Sequence, residues 1–528
     1  MHMKINRALG TLVGGAALLF GSACGDLEVT NPNNPDVDRA LASPEDVISI
    51  SSSTLFNWYR SVTHYEPFAA LSVNADMHTS NFGNFGMRFA NVEPRIAYGN
   101  SSAGSDAMVA QRPWQNHYSD LALANSVLAA LKGGLSLGGP EEDAKWAALS
   151  QFTQAASLTS LAQIFDQAFI VDETSDPYSD AEMVPYTAVR DDAEARWDAL
   201  IASLATQKAT YDASVLPIVT ADGEYSLDAG TKVALTSASL SQIANTMAAR
   251  LLAYTPRTGA ENAAANWPKI LQYAEKGISM PSNRFDLAIQ QDGGQKWFSY
   301  VVYYGAEASW LRTDIRLMNV MNPALPAKFT GTIPPQGTSP DARYAGDYRY
   351  HGNAIGDPAR GIYMQSPFSH KRYAYAARLS PTLVQGPAPY ILAAENDLLI
   401  AEALIRTGGD LNRAAELING TRVGRGKLPA ATAAEGAVKL LQYVDYERQV
   451  ELITTGAIEF FDARRFERLQ PLAWRHLPVP ARELEIIKKE IYTFGGANDP
   501  EMRRARESGI ALMLARKGVS LNTERPQY

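Results

Sequence analysis

Two carboxylates in the C-terminal third of this 528-residue chain have the spacing of an acid–base pair. Glu447 and Glu451 lie four residues apart, which places them one turn apart on the same face of a helix. Such a pair could exchange protons with a substrate. However, Arg448, Arg464 and Arg465 lie close by, and neighbouring guanidiniums keep carboxylates ionised and paired. The pattern therefore predicts a salt-bridged helix junction and not a proton-transfer site.

Other residues of chemically active types are scattered along the chain. Asp76 and Asp347 are acids that an all-helical glycan hydrolase could use, and this enzyme remains an alternative hypothesis. His78, His117 and His351 have separations that fit no metal-ligand pattern, which favours polar surface residues. The chain has no zinc-protease, nucleophile-elbow or phosphate-loop motif. The sequence therefore predicts a protein without a catalytic site, a metal or a cofactor.

The only cysteine follows an apolar segment near the start of the chain. Lys4 and Arg7 precede the uncharged stretch 8–23, which is too short to cross a bilayer and ends in small residues. This order is typical of a bacterial export signal. A cysteine directly after it predicts a lipoprotein signal peptide over residues 1–23, with Cys24 acylated as the mature N-terminus. A plain secretory signal with an incidental cysteine is the alternative.

The composition limits the partners of the mature chain. One cysteine permits neither an internal disulfide nor a multi-cysteine metal site. The Asn-, Pro- and Asp-rich residues that follow it predict a tether over residues 24–40. The net charge is −8 and there is no long basic run, which argues against a nucleic-acid partner.

The clearest helical pattern begins near residue 391. Apolar residues recur there at spacings of three and four, which puts them on one helix face: Ile391, Ala394, Leu398, Ala401 and Ile405. Gly408 and Gly409 are expected to end this helix, and Asp410 to cap the next one. Two antiparallel helices with alanines at their contact predict a hairpin of the tetratricopeptide type.

Similar helical patterns occur earlier in the chain. One starts at Lys145, a second is expected to be capped by Asp191 or Asp192, and two more precede residue 280. Helices of this kind bury their apolar faces by stacking on one another. The predicted fold is therefore mainly α, with tetratricopeptide-like pairs at about 114–280 and 390–470. Long irregular loops at about 72–112 and 290–389 separate them, with little β structure.

These loops carry three groups of aromatic residues. Loops this long and this rich in aromatic residues are usually functional, so each group is a candidate ligand-binding site. The named candidates are Trp297, Tyr300 and Tyr304 in the first group, Arg88 and Tyr98 in the second, and Tyr348 in the third. Packing of each ring against the helical scaffold is the alternative.

The motifs together resemble the SusD/RagB family. The resemblance runs over nearly the whole chain, and the C-terminal third matches best. One block is similar to the family's first C-terminal helix pair, and a second to its R-x-x-E-L signature; the matching residues are Glu395, Glu402, Gly408, Asn419 and Arg422, then Glu447, Arg448, Glu451, Leu452, Gly456, Asp462 and Arg465. Trp114, Tyr118 and Asn125 match an earlier family helix. Glu459 stands where the family usually has arginine.

This resemblance implies a function and a location. Members are lipid-anchored outer-membrane proteins that face the cell exterior. They bind oligosaccharides or peptides and deliver them to SusC-like TonB-dependent transporters, without catalysis. The resemblance also implies one α domain over residues 41–528 and an acidic residue near the ligand, which would be Asp76. A surface glycan hydrolase and a helical-repeat assembly scaffold are the alternatives.

Overall fold

A computed structural model describes residues 41–175, 182–221, 225–227, 230–293, 296–306, 308–377 and 385–499. The predicted signal peptide (1–23), the predicted tether (24–40) and Cys24 lie outside these residues.

Helices make up most of the described secondary structure. In chain order the α-helices are α1 (Pro44–Val62), α2 (Tyr65–Asn74), α3 (Met87–Asn91), α4 (Met108–Lys132), α5 (Pro140–Ile164), α6 (Tyr186–Leu204), α7 (Ser237–Tyr254), α8 (Gly259–Ala263), α9 (Trp267–Ala274), α10 (Tyr300–Ala306), α11 (Ile315–Met321), α12 (Ala342–Gly346), α13 (Ala393–Arg406), α14 (Leu411–Arg422), α15 (Gly436–Glu451), α16 (Ile458–Arg465) and α17 (Ala481–Ile486). The strands are short: β1 (His78–Thr79), β2 (Gln167–Ala168), β3 (Val184–Pro185), β4 (Ile218–Thr220), β5 (Thr231–Lys232), β6 (Leu287–Asp292), β7 (Arg312–Thr313), β8 (Tyr348–Tyr350), β9 (Phe368–His370) and β10 (Gln385–Ile391). The mainly α prediction is confirmed.

The N-terminal helices pack around α5. This helix contacts α1, α4 and α6. The residues on its buried faces are mostly alanine, serine and threonine, so neighbouring helices can approach closely. Phe152 of α5 contacts Trp58 and Trp197 edge-on, at centroid distances of 5.0 and 5.1 Å. The buried Trp197 indole N–H donates to Thr159 Oγ1 at 3.0 Å, which satisfies the polar atom of an otherwise apolar contact.

The C-terminal helix hairpin forms as predicted, with one difference at its start. Gly408 has a φ of +70°, and the Asp410 carboxylate accepts hydrogen bonds from the first turn of α14. Helix α13 begins at Ala393, because Ile391 is the last residue of β10. The predicted cap of α6 is wrong: this helix begins at Tyr186, so Asp191 and Asp192 lie inside it.

Two four-stranded antiparallel sheets join segments between the helices; β4 and β5 lie in the region predicted to hold only helical pairs. Their strand orders are β1-β7-β9-β8 and β10-β6-β4-β5. In the first, Thr313 pairs with both His78 and Phe368. In the second, β10 lies at the edge, the position in a sheet that tolerates prolines such as Pro387 and Pro389, which have no N–H to donate. The sheets thereby join residues near 78, 313 and 370, which are far apart in sequence.

One large hydrophobic core links the helices to these segments. Its buried residues run from Leu55 to Phe494, and they include Tyr98 and Trp297 from the predicted loops. Across the described part of the chain, no helix has the length and apolar character needed to cross a membrane.

Candidate ligand-binding surface

Seven partly exposed aromatic side chains from three segments lie side by side. We call this group the aromatic surface; its members are Tyr65, Phe82, Phe85, Tyr300, Tyr303, Tyr304 and Trp310. Tyr65 begins α2, the phenylalanines belong to the turn before α3, and the other four belong to α10 and the residues after it.

Tyr65 and Phe85 stand at the centre of the aromatic surface. Their ring centroids are 4.1 Å apart, and the ring of Tyr304 lies 5.6 Å from Tyr65 and 5.2 Å from Phe85. Phe85 also stacks on Trp310 at 5.9 Å, with 26° between the ring planes. Tyr300 meets Tyr65 edge-on at 4.9 Å. Rings held in mutual contact lose little further freedom on binding, so the group is a preorganised platform.

Helix α10 is fixed against the end of α1. The N–H of Val301 donates to the carbonyl of Thr63 at 3.1 Å, and the hydroxyl of Ser299 accepts from Val302 N–H at 3.2 Å. A side chain at Gly305 would lie 2.3 Å from Thr454 Cγ2, so only glycine permits this approach. These contacts set the positions of the tyrosines at 300, 303 and 304.

The turn that carries Phe85 has two consecutive residues in the left-handed backbone conformation. Phe85 has a φ of 54° and Gly86 a φ of 69°, both in the left-handed region. For a phenylalanine this conformation costs free energy, and the packing of its ring offsets that cost. A Cβ at Gly86 would lie 2.6 Å from Val109 Cγ2, so the turn is pressed against α4. The strained backbone is what directs the Phe85 ring toward Tyr65.

Burial shifts the pKa values of two side chains at the aromatic surface in the direction that keeps them neutral. It raises the pKa of Tyr304 to about 12, with smaller contributions from the neighbouring tyrosines. Burial, and then the positive charges of Arg112 and Arg60, lowers the pKa of His64 to about 4. His64 is therefore neutral at pH 7, and its ring contacts those of Tyr65 and Tyr300 at 4.1 and 5.3 Å.

The predicted site residues fall into two sets. Tyr300 and Tyr304 belong to the aromatic surface, with their rings 6.3 Å apart. Arg88 is exposed, and its backbone N–H donates to the carbonyl of Phe82, a member of the aromatic surface, at 3.0 Å. Trp297, Tyr98 and Tyr348 have relative exposures of only 4%, 1% and 2%. In these three positions the structure supports the alternative of core packing.

Two of the three buried rings have a clear packing role. Trp297 contacts Phe56 edge-on at 5.1 Å, and its ring lies 5.6 Å from that of Tyr59. The Tyr98 hydroxyl donates to the carbonyl of Asp106 at 3.0 Å and accepts from Ala110 N–H at 3.2 Å.

Asp76 lies in an ion-pair network. Its carboxylate contacts Arg95 at 2.7 Å and Arg316 at 3.5 Å, and it accepts from Gln470 at 2.8 Å. Arg316 also pairs with Glu93. With a relative exposure of 6% and these partners, Asp76 joins structural segments and is not part of the aromatic surface.

The paired carboxylates at 447 and 451 form the predicted salt-bridged junction. Arg343 contacts Glu447 at 2.8 Å and Glu451 at 3.2 Å. Arg372 and Arg425 each contact Glu451 at 2.8 Å. Burial opposes ionisation, but the three guanidiniums outweigh it and lower the pKa of Glu451 to about 2. The partners come from outside the helix, while Arg448 and Arg465 pair with Asp462, and Arg465 also pairs with Glu402.

Asp347, the other acid of the enzyme hypothesis, is also engaged. Arg425 contacts both of its carboxylate oxygens, at 2.9 and 3.0 Å. A guanidinium in this arrangement leaves the carboxylate poorly placed to transfer a proton.

The histidines differ from the expectation of a polar surface. His78 and His117 are buried, while His351 is partly exposed and contacts Ser369 at 2.8 Å. His78 hydrogen-bonds Ser72 at 2.7 Å, and Ser72 donates to Glu459 at 2.8 Å. Among the described residues, no three His, Cys, Asp or Glu side chains converge on one point as metal ligands would.

Sequence reasoning missed two contributors to the surface. Tyr65 is the first residue of α2, and no sequence pattern marks it as part of a surface. Arg60 follows Phe56 at a spacing of four on α1, and its guanidinium carbon lies 5.8 Å from the ring centroids of both Phe56 and Tyr300. That spacing is the only signal that could have indicated a shared face.

Comparisons with known proteins agree with this architecture. Residues 312–511 match the sequence model of the SusD family. No curated protein matches the chain in sequence.

Several solved structures have a similar fold at low sequence identity. A SusD-like carbohydrate-binding protein of Bacteroides fragilis has a TM-score of 0.55 and 14% identity, over 81% of this chain and 87% of that one. Surface glycan-binding protein A of Bacteroides fluxus has a TM-score of 0.55 and 14% identity, over 85% and 99%. A SusD superfamily protein of Parabacteroides distasonis has a TM-score of 0.57 and 11% identity, over 84% and 97%. The described chain therefore has the SusD-like fold.

Proposed function

We propose that this chain, which matches the SusD family model over residues 312–511 and has the SusD-like fold in its described part, is a member of that family and binds oligosaccharides on the aromatic surface. In this proposal the protein is lipid-anchored at Cys24, faces the cell exterior and passes its ligand to a SusC-like TonB-dependent transporter in the outer membrane. The aromatic surface is the single observation that carries the binding function.

The chemistry of the surface suits a sugar. The C–H faces of pyranose rings pack on aromatic rings, which are held in place here by mutual contact. The tyrosine hydroxyls at 300 and 304 would supply hydrogen-bond partners for sugar hydroxyls. Peptides are the alternative ligand class. They would pack on the same rings and would not need the tyrosine hydroxyls as hydrogen-bond partners.

The proposed function involves no catalysis. Asp76 and Asp347, the acids that a hydrolase could use, are both held in ion pairs with arginine. Neither aspartate belongs to the aromatic surface, so neither would contact the proposed ligand. These placements support a binding protein over the hydrolase.

Binding to a panel of oligosaccharides tests the ligand class. We expect at least one to be retained by the purified protein without cleavage, and Tyr304→Ala to weaken that binding about tenfold or more, as for a central interface aromatic. Release of products would favour the hydrolase. Binding of peptides alone would favour the peptide-binding alternative, and no binding of either class would favour the assembly scaffold.

A second experiment tests the anchor. Cys24→Ser is expected to leave the folded body unchanged and to release the protein from membranes, because the lipid would have no attachment point. Labelled palmitate added to cells should enter the wild-type protein and not the variant. Equal membrane association of both proteins would contradict the lipid anchor.

A further inference from the structure

Basic side chains lie next to one part of the aromatic surface although the whole chain carries a net charge of −8. Arg60 and Arg88 lie at its edge, and Lys296 lies over the same Phe56 ring as Arg60. None of the three forms an ion pair with a carboxylate within the described residues. Elsewhere many arginines are paired, including Arg95, Arg316, Arg343 and Arg425.

Arg60 is placed to contact both the surface and a ligand. Its guanidinium lies over Tyr300 and Phe56, each at 5.8 Å. A ring occupies the face of the guanidinium and leaves the N–H groups at its edge available for an anion. The position of Arg60 in the last turn of α1 favours a positive charge without a carboxylate partner.

Lys296 is the second cation on the same ring. Its ammonium lies 5.3 Å from the Phe56 centroid and 5.8 Å from that of Trp297, and the residue is exposed. The nearest carboxylate along the chain, Asp292, accepts hydrogen bonds from the N–H groups of Lys296 and Trp297, at 2.9 and 3.0 Å. It therefore caps the backbone, and no ion pair joins it to the Lys296 ammonium.

Arg88 and Arg112 are the other arginines near this edge. Arg88 is exposed next to Phe82, and Arg112 lies 3.5 Å from Glu66. Burial raises the pKa of Glu66, and this residue pairs with Arg112 and not with Arg60 or Lys296. The low pKa of His64 reflects the charges of Arg112 and Arg60 in addition to burial.

We propose that the ligand of the aromatic surface is an anionic oligosaccharide, with its carboxylate or sulfate groups bound by Arg60 and Lys296 while its sugar rings stack on the aromatic side chains. This inference rests on the proposed function, because it names the class of oligosaccharide that the same surface takes. Charge-assisted hydrogen bonds to a guanidinium are about twice as strong as neutral ones, so the cations give the surface a preference between glycans of similar shape.

Three oligosaccharides with galactose-type backbones provide the test. Oligogalacturonate carries carboxylates, a carrageenan oligosaccharide carries sulfates, and a galacto-oligosaccharide is neutral. At about 0.05 M salt we expect at least one of the anionic ligands to bind about tenfold or more tightly than the neutral one. This advantage should shrink at about 0.5 M salt, because screening weakens exposed charge interactions. Which anionic ligand binds identifies the charged group.

Variants locate the effect. The double variant Arg60→Gln/Lys296→Gln should weaken anionic binding about tenfold and neutral binding less than about twofold. Lys276→Gln, an exposed charge at the end of α9, is the matched control and should change neither. Lys296→Gln alone keeps the test valid if the double variant is unstable, and it should lose part of the anionic preference.

The outcomes separate the two proposals. If neutral and anionic ligands bind equally and Tyr304→Ala weakens both, the charge inference is overturned and the proposed function stands. If no oligosaccharide binds, both fail. If a polyglutamate peptide of equal charge binds more tightly than every anionic oligosaccharide, the ligand is not a saccharide. If Lys276→Gln weakens binding as much as the double variant, the general charge of the protein is responsible and the assignment to Arg60 and Lys296 is overturned.

Discussion

The ring of Phe85 stacks on the ring of Trp310, with 5.9 Å between their centroids and 26° between their planes, although the two residues belong to different chain segments. Trp310→Ala should therefore weaken oligosaccharide binding about tenfold or more, because it removes one of the largest rings of the aromatic surface and the support of another. Calorimetric titration measures the loss.

Trp146→Ala is the matched control for this variant. Trp146 is also a partly exposed tryptophan, but it lies on α5 and its indole N–H donates to Glu142 at 3.1 Å. Its replacement should leave ligand affinity unchanged, whatever it does to stability. Equal losses of affinity in both variants would show that the effect is not local to the aromatic surface.

Trp297 and Tyr98 should behave as core residues. Replacing either by alanine is expected to lower the free energy of unfolding by about 3–5 kcal/mol, because a large buried ring leaves a cavity. Tyr98→Phe should cost only about 1 kcal/mol, since it loses hydrogen bonds and keeps the ring. Denaturant unfolding measures each change. Unaltered unfolding combined with weaker ligand binding would instead place these rings at the ligand.

Glu459→Gln should change how stability depends on pH. Burial raises the pKa of Glu459 from 4.5 to about 7, so the folded protein holds this proton more tightly than the unfolded chain does. Its contribution to stability is therefore lost as the pH rises from about 4.5 to 7. Glutamine does not titrate, so the variant should gain stability relative to wild type over this interval, by up to about 3 kcal/mol.

Unfolding of wild type and Glu459→Gln at pH 5 and pH 8 tests this expectation. The Ser72 hydroxyl can hydrogen-bond the amide oxygen as it does the carboxyl group, so the comparison isolates the charge. A stability difference that does not change with pH would show that Glu459 is not protonated in the folded protein at pH 5.

Glu451→Gln should have the opposite pH dependence. Glu451 is ionised among three arginines with a pKa of about 2, so its contribution to stability is present above pH 4.5 and is lost as the pH falls toward 2. The variant removes one negative charge from beside these three guanidiniums and should be less stable by about 3–5 kcal/mol at pH 7. Thermal unfolding should show this deficit shrinking in acid; a deficit that grows in acid would contradict it.

The helical part of the fold was predictable because its signals are local. The spacing of apolar residues and the Gly408–Asp410 punctuation indicate the hairpin of α13 and α14 directly. The start of α13 was displaced by one strand residue because Ile391 is equally suitable for both structures. The ion pairs of Glu451 were expected, but their partners Arg372 and Arg425 come from distant segments that no local pattern connects.

The candidate site was only partly predictable, for a similar reason. Aromatic residues in irregular segments suggested a binding surface, and Tyr300 and Tyr304 do lie on one. Trp297 and Tyr98 have the same sequence context, but they are buried because these segments carry core residues of their own. Tyr65 joins the surface through the contacts of α2 with α10 and with the Phe85 turn, and such tertiary contacts leave no trace in residue spacing.

The positive charge and the stacking rings come from different chain segments: Arg60 belongs to the long helix α1, and Phe85 belongs to a short turn. Under the proposed function, exchanging the turn for one from another protein would alter which sugar shape is recognised, while the charge preference would persist. That separation would make the molecule a practical framework for engineered reagents that capture chosen acidic glycans.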